Sequence, residues 1–206
     1  MRMPSQTSSK KNVSIHTPRL ERGKQRVAEL MAAAARVFAE QGYDAATMTE
    51  VAALAQASIG SLYQYFPTKA LLAQALHSAQ LEMLRGRLES LAPQAPNLSP
   101  RQIAERILEE LSLFLEENPA FIALAERRDI DKKAKAATRS GLLSLLTGLL
   151  AQAQPPLPAE RHALTAVMLL ELMKVAVSLK ARESTEIAEG VIQTFKGMLG
   201  QHLDSL

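Results

Sequence analysis

The stretch Thr47-Met48-Thr49-Glu50-Val51-Ala52-Ala53-Leu54-Ala55-Gln56-Ala57-Ser58-Ile59-Gly60-Ser61-Leu62-Tyr63-Gln64-Tyr65-Phe66-Pro67 reads as two short helices separated by a tight turn. Thr47 is a helix-capping residue type, and Glu50, three positions on, has the reach to return to its amide. Val51, Leu54 and Ala55 give the first helix an apolar side. Ala55-Gln56-Ala57-Ser58 supplies the turn and ends on a second cap, Ser58. The second helix runs from about Ile59 to Tyr65. Leu62 and Phe66 share its inner face at i, i+4, and Pro67 ends it by disfavouring helix at the residue before. Two short helices joined in this way form a helix-turn-helix.

A second helix that enters the major groove needs small or hydrogen-bonding residues outward and apolar residues inward. Ile59, Gly60, Ser61 and Gln64 take the outward positions. Gln64 suits an adenine edge and Ile59 a thymine methyl. Glycine inside a short helix costs roughly 1 kcal/mol relative to alanine, and close approach of backbone to phosphate explains it at Gly60.

Upstream, Val27, Leu30, Met31, Ala34, Val37 and Phe38 recur at spacings of three and four. They make the apolar face of a helix from about Arg22 to Gln41, ended by Gly42. Residues 1–20 carry no periodicity and are expected to form a disordered basic arm. Downstream, Thr68 caps a fourth helix to about Leu91, and Pro93, Pro96 and Pro100 mark a loop. Helical patterns follow at about 100–117, 119–129, 131–153, 158–182 and 184–203. The expectation is an all-α chain of about nine helices: an N-terminal helix-turn-helix domain over 21–68, and a helical domain over 69–206.

Composition agrees. Hydrophobic residues make up 47% of 206, aromatics 4%, and Ala and Leu dominate, which favours helix over sheet. No cysteine is present, which excludes disulfides and thiolate metal sites and fits a cytoplasmic protein. Net charge is +3, yet residues 1–70 hold nine Lys/Arg against five Asp/Glu, +4, and the remainder carries −1. The basic excess sits where an anionic polymer would be met. Lys10, Lys11, Arg19, Arg22, Lys24 and Arg26 form either a solubilising tail or an arm for the minor groove.

The most apolar stretch, 163–179, is 17 residues long and interrupted by Glu171 and Lys174. That is too short and too charged for a membrane span and reads as a helix buried in protein. His16, His77, His162 and His202 lack metal-ligand spacing. The run Arg127 to Lys133 reads as a solvated helix junction. No nucleophile elbow, phosphate-binding glycine loop, zinc motif or convergent carboxylate pair occurs, so no enzyme activity, cofactor or metal is expected. The basic N-terminus and the outward Gly60, Ser61 and Gln64 also speak against a helix-turn-helix used for packing alone.

Three segments carry a family resemblance: Phe38 to Tyr43, Thr47 to Ala52, and Ser58 to Lys69. Over about residues 22–75 the sequence resembles the DNA-binding signature of the tetracycline-repressor (TetR) family. The resemblance implies that Ser58 to Gln64 form the recognition helix and that Tyr63, Lys69 and Thr49 hold phosphates. With the outward positions above, the expected DNA-binding residues are Thr47, Thr49, Ser58, Ile59, Gly60, Ser61, Tyr63, Gln64 and Lys69. A cation in the first turn of a helix opposes the macrodipole, a cost of roughly 0.3–1 kcal/mol, which a nearby phosphate would explain for Lys69; the alternatives are a solvated lysine there and a rim aromatic at Tyr63. The family usually has Gly or Asn where this chain has Gln56, so a left-handed backbone there would be less comfortable.

The resemblance also implies a homodimer that binds a palindromic operator in double-stranded DNA and is released by a small-molecule effector. Such release is a population shift between two states. Candidate effector contacts, first of all core residues, are Phe114, Phe121, Met168, Glu171 and Met173; Glu171 and Lys174, three apart, alternatively pair with each other. The helices at 158–182 and 184–203 carry more apolar face than one chain needs. Ile187, Val191, Phe195, Met198 and Leu199 mark the last, which assigns both helices to the dimer interface.

Overall fold

The computed structural model describes residues 17–125 and 132–206, with side chains over 21–125 and 136–206. Among the described residues there are nine α-helices and no strand: α1 (Thr17–Ala45), α2 (Met48–Leu54), α3 (Ile59–Tyr65), α4 (Lys69–Glu89), α5 (Pro100–Glu117), α6 (Pro119–Ala125), α7 (Lys132–Leu150), α8 (Ala159–Arg182) and α9 (Thr185–Asp204). A 3-10 turn at Ala95–Asn97 occupies the proline-marked loop. The expected arm lies mostly outside the described residues, as does most of the run Arg127 to Lys133. Helix α1 begins five residues before the expected Arg22 and so takes in positions 17–20. Pro18 falls in its first turn, where its missing N–H has no intrahelical partner to lose. At the other end Gly42 breaks the helix with φ 77° and ψ 169°, a conformation open to glycine and costly for other residues.

Most helix starts follow the caps written in the sequence. Ser58, Thr68, Ser99 and Ser184 each accept an amide three residues on through their hydroxyls, satisfying donors the helix leaves orphaned.

Two apolar cores form. The first gathers Leu30, Ala34, Val37 and Phe38 of α1, Val51 and Ala52 of α2, Leu62, and Leu72, Ala73 and Leu76 of α4. Ala120 and Leu124 of α6 complete it. The second runs from Leu84 and Leu88 of α4 through Ile107, Leu111 and Phe114 of α5, Leu146 of α7 and Leu169 and Met173 of α8 to Leu199 and Leu203 of α9. Helix α4 therefore contributes to both cores, and α6 packs chiefly on α1. Leu54, expected on the inner side of α2, is instead 39% exposed. The buried positions of α2 are Met48, Val51 and Ala52.

Helix α9 is tied to its neighbours by polar bridges. Arg101 of α5 donates to Asp204 at 2.6 Å and Glu105 at 2.9 Å, and Lys180 of α8 donates to Glu189 at 2.8 Å. Helix α8 is 24 residues long, and by length and composition alone is apolar enough to cross a membrane. Its bounds match the pattern read at 158–182, and the apolar stretch 163–179 is its middle. One third of its most apolar window is buried in the protein, and Leu164, Val167, Met168 and Val175 are exposed along it.

Candidate nucleic-acid interface

The helix-turn-helix is held by local bonds at each joint. Thr47 N donates to Glu50 Oε2 at 2.9 Å, and Glu50 N donates to Thr47 Oγ1 at 3.2 Å, the reciprocal arrangement read from the sequence. The Thr47 hydroxyl, its backbone amide and Gln41 hold the Glu50 carboxyl below the usual carboxylate range. At the turn, Ala57 N donates to Ala52 O at 2.9 Å and Gln56 N to Ala53 O at 3.1 Å. This 6→1 and 5→2 pair closes α2 in a Schellman motif and requires a left-handed residue at its C′ position. That residue is Gln56, with φ 49°. Ser61 N then donates to Ser58 Oγ at 3.1 Å and starts α3.

Arg26 of α1 completes the turn. Its guanidinium donates to Ala55 O and to Gln56 O, both at 3.3 Å, and to Glu29 at 2.9 Å. The carbonyls at the end of α2 thus receive a cation, as the helix dipole favours. Arg26 was read as part of the basic arm; it lies instead against the turn. The carbonyls in question are 29 and 30 residues away, so spacing along the chain carried no signal of the contact. Unclosed carbonyls at a helix C-terminus are nevertheless a standing request for a donor.

Helix α3 buries Leu62 completely, and Phe66 follows it into the core. Ile59, Tyr63 and Tyr65 are 41%, 48% and 40% exposed. Ser58, Gly60 and Gln64 are exposed beside them, as are Thr47 and Thr49 at the start of α2, while Ser61 is half-buried. A Cβ at Gly60 would meet nothing within 4 Å, so packing inside the protein does not require glycine there. The structure thus brings eight of the nine expected DNA-binding residues to the surface of α2 and α3 or their caps.

Lys69 is placed differently. Its Nζ donates to Tyr43 O at 2.8 Å, Asp44 O at 3.0 Å and Ala46 O at 2.8 Å, and lies 4.6 Å from the centre of the Tyr43 ring. All three ammonium donors close the carbonyls that follow the Gly42 break. The penalty of a lysine at the start of α4 is thus offset inside the protein by these carbonyls and does not require a phosphate.

None of the cavities lined by the described residues gathers all five candidate effector contacts. Phe114 and Met173 are buried core residues, and Phe114 meets Phe121 edge-on with ring centres 5.1 Å apart. Met168 is 38% exposed on another side of α8. It lines a groove of about 380 Å³ with Leu172, Phe195, Met198, Leu199 and His202. Glu171 accepts from Arg139 at 2.6 Å and from Lys174 at 3.1 Å, and these two cations hold its carboxyl below the usual range. Residues 168 and 173 are five positions apart, about 140° around the helix, so they cannot face one ligand.

A short exposed helix presented on a three-helix unit, followed by a larger helical body, is an arrangement suited to holding that helix against DNA. Residues 30–76 match the family model described as bacterial regulatory proteins, tetR family. A TetR-like transcriptional regulator from Rhodococcus sp. RHA1 superposes with a TM-score of 0.60 at 22% identity, over 88% of this chain and 97% of that one. The fatty acid degradation regulator FadR from Bacillus halodurans does so with a TM-score of 0.67 at 17% identity, over 84% and 94%. FadR from Bacillus subtilis, in complex with stearoyl-CoA, gives 0.63 at 17%, over 84% and 96%. A search of curated proteins returned no significant match. The matched segment, residues 30–76, and the fold are those of the tetR-type regulators that the chain resembles.

Proposed function

We propose that this regulator is a cytoplasmic repressor that binds a palindromic operator as a homodimer and is released by a small-molecule effector. The observation that carries the DNA reading is the exposed face of α3. Ile59, Gly60, Tyr63 and Gln64 are held outward by a buried Leu62, two capped helix starts and a clamped turn. Gln64 and Ile59 read bases, and Gly60 leaves room for the sugar-phosphate backbone. Tyr63, Thr47, Thr49, Ser58 and Ser61 contact phosphates or adjoin those that do. In this reading residues 21–68 are the DNA-binding domain and 69–206 the effector and dimerisation domain, with residues 1–20 a basic arm. Leu72, Ala73, Leu76, Ala120 and Leu124 of the larger domain complete the core of the smaller.

Dimerisation is assigned to the outer faces of α8 and α9. Leu164, Val167, Met168 and Val175 on α8 and Ile187, Phe195 and Met198 on α9 are all more than a third exposed. A symmetric partner presenting the same faces would bury them as a four-helix interface. Effector release rests on likeness to a fold that in one solved case holds stearoyl-CoA. The experiment is a salt titration of binding to a duplex with dyad symmetry, alongside random DNA. A steep negative slope of log affinity against log salt, with tighter binding to the dyad, supports the reading. A flat slope on both duplexes refutes it.

A further inference from the structure

We propose that His202 makes the α8–α9 contact between two copies of the chain pH-sensitive, with acid favouring the monomer. On α9, Ile187, Val191, Phe195, Met198 and His202 follow one another at spacings of four and three, the stripe of one helix face. His202 thus stands where the pattern calls for another apolar residue. On α8, Leu164, Met168, Leu172 and Val175 form a similar stripe. Between the two helices lies the groove of about 380 Å³, lined by Met168, Leu172, Phe195, Met198, Leu199 and His202. His202 is the one titratable side chain in that lining. Its backbone carbonyl accepts from Ser205. Its half-buried ring has no hydrogen-bond or ion-pair partner among the described residues. The occupant of the groove is a second copy. Beside the hollow stand exposed apolar side chains, Met198 at 60%, Ile187 at 53% and Leu164 at 50%. A face that carries both knobs and a hollow is complementary to itself, as a two-fold contact requires.

Charged groups on the elements packed around His202 are placed or paired elsewhere. On α9, Asp204 lies about 160° and Lys196 about 120° around the helix from it. Asp204 accepts from Arg101 of α5 at 2.6 Å, and the same guanidinium holds Glu105. On α8, Glu171 accepts from Arg139 and Lys174, the His162 ring meets Leu157 O at 3.1 Å, and Arg161 lies two turns before Met168. None of these groups lines the groove. A neutral imidazole can therefore pack against the second copy as an apolar ring. A protonated one would lose its water on docking with no carboxylate in the groove to compensate. In the monomer the ring stays partly exposed in the last turn of α9, where the helix dipole favours a cation. Protonation thus stabilises the monomer relative to the dimer. The dimer is at full strength when the imidazole is neutral and weakens as pH falls. A symmetric contact contains two such rings, so the effect enters twice.

The switch rests on the dimer reading above, and one experiment separates the two. Sedimentation equilibrium on the full chain would compare pH 8 with about pH 5.5, the range over which a histidine takes up its charge, at one ionic strength. The wild type is expected to dimerise at pH 8, with a dissociation constant about tenfold or more higher in acid. His202→Gln and His202→Leu keep the ring position neutral at both pH values. Each should still dimerise, with a change between the two conditions of about threefold or less. These variants also separate His202 from His162 and from the carboxylates, which they leave in place. A wild type that is equally dimeric at both pH values overturns the switch and leaves the interface standing. The same weakening in acid for both neutral variants also overturns it. A wild type that is monomeric at both pH values overturns the interface reading, and the switch with it.

Discussion

Arg26 and Gln56, thirty residues apart, are joined by a 3.3 Å hydrogen bond from a guanidinium to a backbone carbonyl. The bond falls on the one non-glycine residue with a positive φ among the described residues. A strained turn and the cation that secures it thus come from different helices. The recognition helix inherits its angle from both.

Arg26→Met should therefore loosen the turn without touching DNA. Hydrogen bonds from a charged donor contribute roughly 1.5–3 kcal/mol, and the half-exposed setting places the loss near the lower end. Urea unfolding should show a fall of about 1–2 kcal/mol. Discrimination between operator and random DNA should narrow. A variant with unchanged stability and unchanged discrimination would refute the clamp.

Gln56→Gly should stabilise the protein. A left-handed backbone costs an L-residue roughly 1–2 kcal/mol, and glycine's looser unfolded state returns part of that. The expected net gain is about 0.5–1 kcal/mol, seen as a higher denaturation midpoint with an unchanged slope. Gln56→Val, β-branched at the same φ, should move the midpoint the other way.

Lys69→Met should reduce stability, since three carbonyls lose their donor; about 1–3 kcal/mol is expected. Its effect on DNA should be indirect, leaving the salt slope of binding as in the wild type. A slope lower by about one unit would restore Lys69 as a phosphate ligand.

Gln64→Ala should cost about 1–3 kcal/mol on the preferred operator and little on random DNA. Competition binding on both duplexes separates the cases. Equal losses would assign Gln64 to the backbone rather than to a base.

Phe195→Glu places a charge in each copy of the α8–α9 interface. Sedimentation equilibrium should show a dimeric wild type and a variant shifted toward monomer. Operator affinity should fall by about tenfold or more, because a single helix-turn-helix engages one of two half-sites, about 34–36 Å apart. A wild type that is monomeric at micromolar concentration would remove this interface.

The helix-turn-helix was legible because its signals are local. Thr47, Glu50, Ser58 and Pro67 act on amides within a turn of themselves, and the Gly42 break depends only on that residue's own φ. Leu62 and Phe66 reveal an inner face at a spacing of four, and the exposed face of α3 follows by exclusion. Local chemistry of this kind is written in the order of residues, and it determined the element type, the caps and the outward-facing positions of α3.

Tertiary structure alone decided where the long side chains go. Arg26 and Lys69 are both cations beside the helix-turn-helix; sequence reading sends Lys69 toward phosphate and leaves Arg26 in an arm that is either a solubilising tail or a minor-groove contact. Folding supplied nearer acceptors instead, in carbonyls 23 to 30 residues away that helix ends leave open. The same limit separates Met168 from Met173, since which side of an apolar helix meets the core depends on neighbours that arrive from elsewhere in the chain. It also brings α6 into the core of the DNA-binding unit, because Ala120 and Leu124 acquire an apolar partner only when α1 is folded beside them.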